Sequence, residues 1–331
     1  MARRHAPEND LPFAWVLHIN SDGAVQSIDA VPQALEAEDG GFYWIHMKRA
    51  DVRAIRWLRA QIDIPDSVKE VLLSQEDEEP HLTGHENYIC GVFRDFTQEL
   101  DGASDEVSRL CFYVTDRVII TARRHPVHAS IEARRAIEQS QADIHRPIDI
   151  FKLLLEKIVD GFEARVEQLW SSVDHIEDHV LDDNMYDDRH QLSQIRRSAA
   201  SAHRLISSNY RAVLKMQKLP QLYPQTQDLL VHIGHHLENV QHESSSIQDR
   251  ARLLHEELNA QLASETNRQL FILTILGTLI MPPTLISGMF GMNMKGLPFA
   301  DDESGFWMAF ALCLLSSLLT YAVVWVSSRR S

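Results

Sequence analysis

The chain has 331 residues, and 47 acidic against 32 basic side chains give it a formal charge of −15. That balance excludes a nucleic-acid binder, which needs a basic footprint, and suits either a protein that draws cations or one kept soluble by its surface charge. Three scattered cysteines, Cys90, Cys111 and Cys313, lack metal-ligand spacing, which predicts reduced thiols in a cytosolic compartment.

Residues 1–10 hold Arg3 and Arg4 with no apolar stretch behind them, so no signal peptide is predicted and the large domain is expected in the cytoplasm. From Phe13 to Arg124 the sequence reads as mixed α/β. Phe13–Ile19, Gly41–Met47, Tyr88–Thr97 and Leu110–Ala122 are rich in aromatic and β-branched residues. Turn signals bound them at Ser21-Asp22-Gly23, Asp39-Gly40-Gly41 and Asp101-Gly102. A helical stretch interrupted at Pro65 is predicted over Asp51–Gln75, and another from Pro126 to about Ser140.

At Pro147 the character changes to long helices, with proline in a first-turn position. One helix is predicted over Ile148–Leu181, a break at Asp182-Asp183-Asn184, and a second from Met185 to about Leu219. After Pro220 and Pro224 a third helical pattern runs from about Thr226 to Met281. Two uncharged runs, from Leu270 and from Gly305 to Ser328, each exceed 20 residues, enough to cross a hydrocarbon core of roughly 30 Å. The predicted organisation is an α+β cytoplasmic domain (1–145), long stalk helices (146–266) and a two-helix C-terminal transmembrane hairpin (267–328). Within the hairpin the spans are about 270–290 and 306–326, joined by an outer loop at 291–305 and followed by a tail at 329–331. Arg329 and Arg330 follow the second span, whereas the loop carries Asp301, Asp302 and Glu303 against Lys295, which predicts both termini on the cytoplasmic side.

Two stripes share the third helix. Leu230, Ile233, Leu237, Val240, Ser244, Ile247, Ala251, Leu254 and Leu258 alternate spacings of three and four, the spacing of a packed helical seam. Asn267, Leu270, Thr274, Gly277, Met281, Thr284 and Gly288 keep the same spacing but gather small and polar residues. Polar groups inside a span turn toward a bundle or a watery path, and small ones also allow close helix packing. One hairpin cannot enclose a path, so this stripe predicts a homo-oligomer around an axis. Continued backward, the same line passes Glu256, Asp249, His242, His235 and His232. The acids are read as a cytosolic pore mouth, and the imidazoles as a zinc site shared between copies or as a solvated face. A second acidic group, Asp174, His175, Glu177, Asp178, His179, Asp182, Asp183, Asp187 and Asp188, forms a helix-hairpin tip that concentrates cations or keeps itself solvated.

Gly291-Met292-Asn293, closing the first span, resembles the signature of CorA-type divalent-cation transporters. Met281-Pro282-Pro283-Thr284 and Gly288 match that family's first membrane helix as well. The following Gly296-Leu297-Pro298-Phe299 lacks the acid usual in the magnesium branch and is more like the ZntB-type zinc branch. The resemblance implies a pentameric funnel around a central pore, with Gly291, Met292 and Asn293 as selectivity collar and Asn267, Leu270, Thr274, Gly277, Met281, Thr284 and Gly288 lining the path. It further implies a multi-pass protein of a bacterial-type inner membrane, in contact with lipid and divalent metal ions. Zinc is the expected cargo, with magnesium, cobalt or nickel as alternatives. No phosphate-binding Gly loop, His-Glu-x-x-His or nucleophile elbow occurs, so neither an enzyme nor an organic cofactor is expected. A membrane-tethered metal sensor or scaffold is the alternative of another class.

Overall fold

A computed structural model describes residues 13–28, 32, 35, 37, 39–74, 79–99, 102–180, 185–218, 226–292 and 305–328, with backbone alone for 98–99, 102–105, 179–180, 185–189 and 326–328. They form two compact units, one ending at Leu254 and the other beginning at His255.

The first unit is built on a seven-stranded sheet, with β1 (Phe13–Ile19), β2 (Val25–Ser27), β3 (Phe42–Lys48), β4 (His81–Gly84), β5 (Ile89–Glu99), β6 (Gly102–Val114) and β7 (Val118–Arg123) in the order β2-β1-β3-β7-β6-β5-β4. All neighbours are antiparallel except β3 and β7, which run parallel. Between β3 and β4 come α1 (Val52–Ala60), capped by the Asp51 carboxylate on the Arg53 amide at 2.8 Å, and α2 (Asp66–Leu73). Their buried Ala54, Leu58, Val68 and Leu72 pack with Ile45, Met47, Cys111 and Ile120 from one sheet face. Alternate residues of the strands face the other way. There Phe112 meets Phe151 of α4 (Pro147–Val180) at 4.8 Å, and Phe96 meets Phe162 at 5.7 Å. Helix α3 (His128–Glu138) lies beside α4.

The stretch Leu110–Ala122, expected as one strand, is corrected to two. Thr115 breaks it, its hydroxyl oxygen accepting the amides of Arg117 and Val118 at 3.2 and 3.1 Å. No Gly or Pro marks this turn; a threonine side chain takes their place. The short edge strands β2 and β4 escaped the sequence reading altogether.

Helix α5 (Met185–Gln217) closes an open edge. Strand β4 pairs with β5 only as far as Val92. Beyond it, the buried Asn209 accepts the Arg94 amide at 3.1 Å and donates to the Arg94 carbonyl at 2.7 Å. One amide side chain thus stands in for the missing strand.

Two buried polar groups serve the fold. His46, fully buried and stacked on Trp15, has Nδ1 2.6 Å from the Thr121 hydroxyl and accepts from Arg123 Nε at 2.8 Å. Burial and the Arg123 charge hold its pKa well below the usual value, so it stays neutral. Asp95 ties β5 to α3, its carboxyl oxygens accepting from Phe96 and Ala129 amides at 2.8 Å each. Burial pushes this carboxyl up to about 7, against the pull of those two amides. Between about pH 4 and 7 the native state therefore holds a proton that the unfolded chain has released. The stability contributed through this group is fully present below about pH 4 and is lost as the pH rises to about 7. Asp95→Asn does not titrate. The thermal midpoint of wild-type full-length protein, measured relative to that variant, is expected to fall between about pH 5 and about pH 8; a constant difference would contradict the assignment.

Helix α6 spans Thr226–Phe290, 65 residues. In the first unit all of Leu230, Ile233, Leu237, Val240, Ser244, Ile247, Ala251 and Leu254 are buried, as the seam requires, and Leu258 beyond it is buried too. Polar ties fix this part of α6 to α4 and α5. Gln217 Nε2 donates to the Leu230 carbonyl at 2.6 Å, and Arg250 Nε to Glu177 at 3.0 Å. Arg250 also lies over the Trp170 ring, 5.7 Å from its centroid, with Asp174 3.9 Å away. Two acids of the tip, Glu177 and Asp174, thus meet one arginine while staying open to solvent, and the side chains of His179, Asp182, Asp183, Asp187 and Asp188 fall outside the described residues.

Candidate functional site

The second unit holds the C-terminal part of α6 and all of α7 (Gly305–Ser328). Both helices are long and apolar enough to cross a membrane. Their large side chains are outward-facing in the single chain, among them Leu273, Ile280, Leu285, Leu315 and Leu319, each more than half exposed. Apolar surface on that scale needs lipid or further helices to cover it. Phe306, Trp307 and Phe310 form an aromatic group at the start of α7, with Phe306 and Trp307 centroids 5.7 Å apart. Rings of this kind settle at the membrane–water boundary.

Helix α6 continues through Pro282 and Pro283 to Phe290. Two prolines remove the amide donors that the Thr278 and Leu279 carbonyls would use. Membrane helices tolerate this where neighbouring groups compensate. Nearby, the hydroxyl of Thr284 donates to the Ile280 carbonyl at 2.7 Å and Cys313 of α7 places its sulfur 3.6 Å from the Pro283 carbonyl, and neither contact reaches the Thr278 or Leu279 oxygen.

Every residue of the second stripe is exposed on α6: Asn267, Leu270, Thr274, Gly277, Met281, Thr284 and Gly288. Leu270 is 55% and Met281 73% exposed. A Cβ built on Gly277 or Gly288 would meet nothing within 4 Å. The chain's own packing therefore gives no reason for either glycine. The threonine hydroxyls bond back to the helix, Thr274 to the Leu270 carbonyl at 2.8 Å and Thr278 to the Thr274 carbonyl at 2.7 Å.

At the end of α6, the Gly291 amide donates to the Ser287 carbonyl at 2.9 Å and the Met292 amide to that of Met289 at 3.3 Å. A Cβ at Gly291 would lie 3.2 Å from the Ser287 oxygen, so the final turn favours glycine there. Met292 is half-exposed, and Asn293 lies outside the described residues, as does the Gly296-Leu297-Pro298-Phe299 loop.

In the first unit His232, His235, His242 and Asp249 are exposed on α6, and Glu256 is exposed in the second. The His232 and His236 rings stand edge to face at 4.5 Å; His236 lies 3.7 Å from Glu163, and His235 3.7 Å from Glu238. Among the described residues no three His, Cys, Asp or Glu side chains gather where one metal ion could be held. A stalk metal site would therefore need side chains from more than one copy.

A soluble α+β unit, a long helix and two apolar C-terminal helices define a class of membrane proteins anchored by a C-terminal hairpin. Residues 39–330 match the family model described as CorA-like Mg2+ transporter protein, and the chain belongs to that family of transporters. It is 24% identical over 291 residues to a zinc transport protein ZntB of Pectobacterium atrosepticum, covering 85% of each chain. It is 25% identical over 291 residues to the divalent cation transporter CmaX of Pseudomonas aeruginosa, covering 86% of each. A solved structure of full-length CmaX shares its fold with a TM-score of 0.78 at 20% identity, over 98% of this chain and 99% of that one.

Proposed function

We propose that this protein carries divalent metal cations, zinc above all, across a bacterial inner membrane through a path formed by the first transmembrane helix of several copies. The observation that carries this reading is the exposed stripe of Asn267, Thr274, Gly277, Thr284 and Gly288 on an otherwise apolar helix, which ends at Gly291-Met292. Membership in the transporter family, and relatives named for zinc and divalent cation transport, support it.

In this reading the assembly is a homopentamer with both termini in the cytoplasm. Asn293 side chains form a ring of amide oxygens that hold the cation by its water shell, since hydrated divalent ions part with their inner waters at a cost. Leu270 and Met281 make apolar collars that close the path by dewetting. Asp249 and Glu256 gather cations at the cytosolic mouth. The protein performs no catalytic turnover and needs no organic cofactor.

Zinc is favoured over magnesium by the Gly296-Leu297-Pro298 loop without its acid and by the stalk histidines. Purified protein in liposomes is expected to pass zinc, cobalt or nickel faster than magnesium, and native mass measurement to show a pentamer as the active form. Magnesium flux without zinc flux would assign the protein to the magnesium branch. Absence of any metal flux from a correctly assembled pentamer would favour a tethered sensor.

His232, His235 and His242 are proposed to bind zinc between copies. Imidazole binds metal in its neutral form, so occupancy is expected to fall as the medium is acidified. The assembled His232→Ala, His235→Ala, His242→Ala variant should bind zinc more weakly by calorimetry. Unchanged binding would make the three imidazoles solvated surface.

A further inference from the structure

In a chain with 15 more acidic than basic residues, one cavity of the first unit runs against the average. Its volume is about 380 Å³, and Arg94 of β5 with Arg204 and Arg211 of α5 line it. The sole carboxylate among its described lining residues is Glu79, and none of them is Phe, Tyr or Trp.

Local sequence builds this wall. Arg204 and Arg211 are seven residues apart on α5, two helical turns, so they share a face with Ser207 between them. Ser207 is buried and its hydroxyl lies 3.4 Å from His203 Nε2, while His203 Nδ1 is buried with no hydrogen-bond partner. Arg204 and Arg211 are exposed and form no ion pair among the described residues. The floor is rigid, because Asn209, on the same helix, holds the Arg94 backbone through two hydrogen bonds.

We propose that this cavity binds a phosphate-type oxyanion. Guanidinium forks match the paired oxygens of a phosphate group, and they do so better than a single ammonium. The size falls within the range of small-ligand sites. With no Phe, Tyr or Trp among the described lining residues to stack on a base, the recognised part is the phosphoryl group itself. A bound anion bridges β5 and α5, the two elements that Asn209 already joins, so its binding stiffens the first unit.

The test uses metal-free full-length protein in detergent, titrated calorimetrically with inorganic phosphate, glycerol phosphate, or chloride at matched ionic strength. Phosphate should bind and raise the thermal midpoint where chloride does not. Glycerol phosphate binding as well would assign the cavity to the phosphoryl group of a larger molecule, and its failure to bind would restrict the cavity to the free ion. The double variant Arg204→Gln, Arg211→Gln should lose at least about tenfold in affinity, with an unchanged midpoint in the absence of phosphate. Glu79→Gln should bind more tightly, since a like charge leaves the cavity. Equal binding by wild type and the double variant, or an equal effect of chloride, would overturn the proposal. So would a wild type that binds no phosphate together with a double variant that falls apart into smaller oligomers, because the arginines would then serve a second copy.

Discussion

Replacing Asn293 by Ala is expected to cut zinc flux about a hundredfold or more while leaving the oligomer assembled. The end of α6 is held by its own backbone, through the Gly291 and Met292 amides and the Ser287 and Met289 carbonyls. In the proposed pentamer the substitution would remove five amide oxygens, the groups proposed to accept hydrogen bonds from the ion's water shell. At about 0.5–1.5 kcal/mol each, they amount to a few kcal/mol at the site where the ion is captured. Flux in liposomes, with native mass on the same preparation, checks the result. A fully assembled variant with wild-type flux would put the collar elsewhere.

Gly277→Leu should bring flux down to background. The single chain has room for the larger side chain, since an added Cβ meets nothing within 4 Å. Leucine also suits a helix better than glycine by about 0.8 kcal/mol, so the chain should fold and insert. If the second stripe faces a shared axis, one leucine from each copy fills the path at that level. Were the position turned to lipid, the same substitution would be silent. Liposome flux of the assembled variant separates the two outcomes, and undiminished flux would refute the proposed orientation of α6.

What could be read before folding depended on how local the cause was. The seam from Leu230 to Leu258 was legible because its burial repeats within one helix, and apolar side chains write that repeat directly. The paired spans were legible for a similar reason, since a bilayer imposes length and composition on a continuous segment. The break at Thr115 was not, because a hydroxyl did the work usually given to glycine or proline. Strands β2 and β4 are three and four residues long, too short to show a period, and their partners define them. Nor could the pairing of Asn209 with Arg94, 115 residues apart, be inferred from either neighbourhood. Of the candidate site, the stripe was visible as a pattern, and the structure adds that the chain's own packing accounts for neither Gly277 nor Gly288.

The back-bonded threonines have a consequence for the sign of the charge that passes. Thr274 and Thr284 give their hydroxyl hydrogens to the Leu270 and Ile280 carbonyls. Each side chain keeps only lone pairs to offer outward. A hydrated cation turns hydrogens toward its surroundings, whereas a hydrated anion turns oxygens. A wall of oxygen acceptors on the proposed axis greets the first shell and repels the second. It does so without a carboxylate at membrane depth, where a fixed charge is costly. From Leu270 to Phe290 the helix carries no ionisable side chain, so this preference for cations over anions should hold unchanged across the physiological pH range.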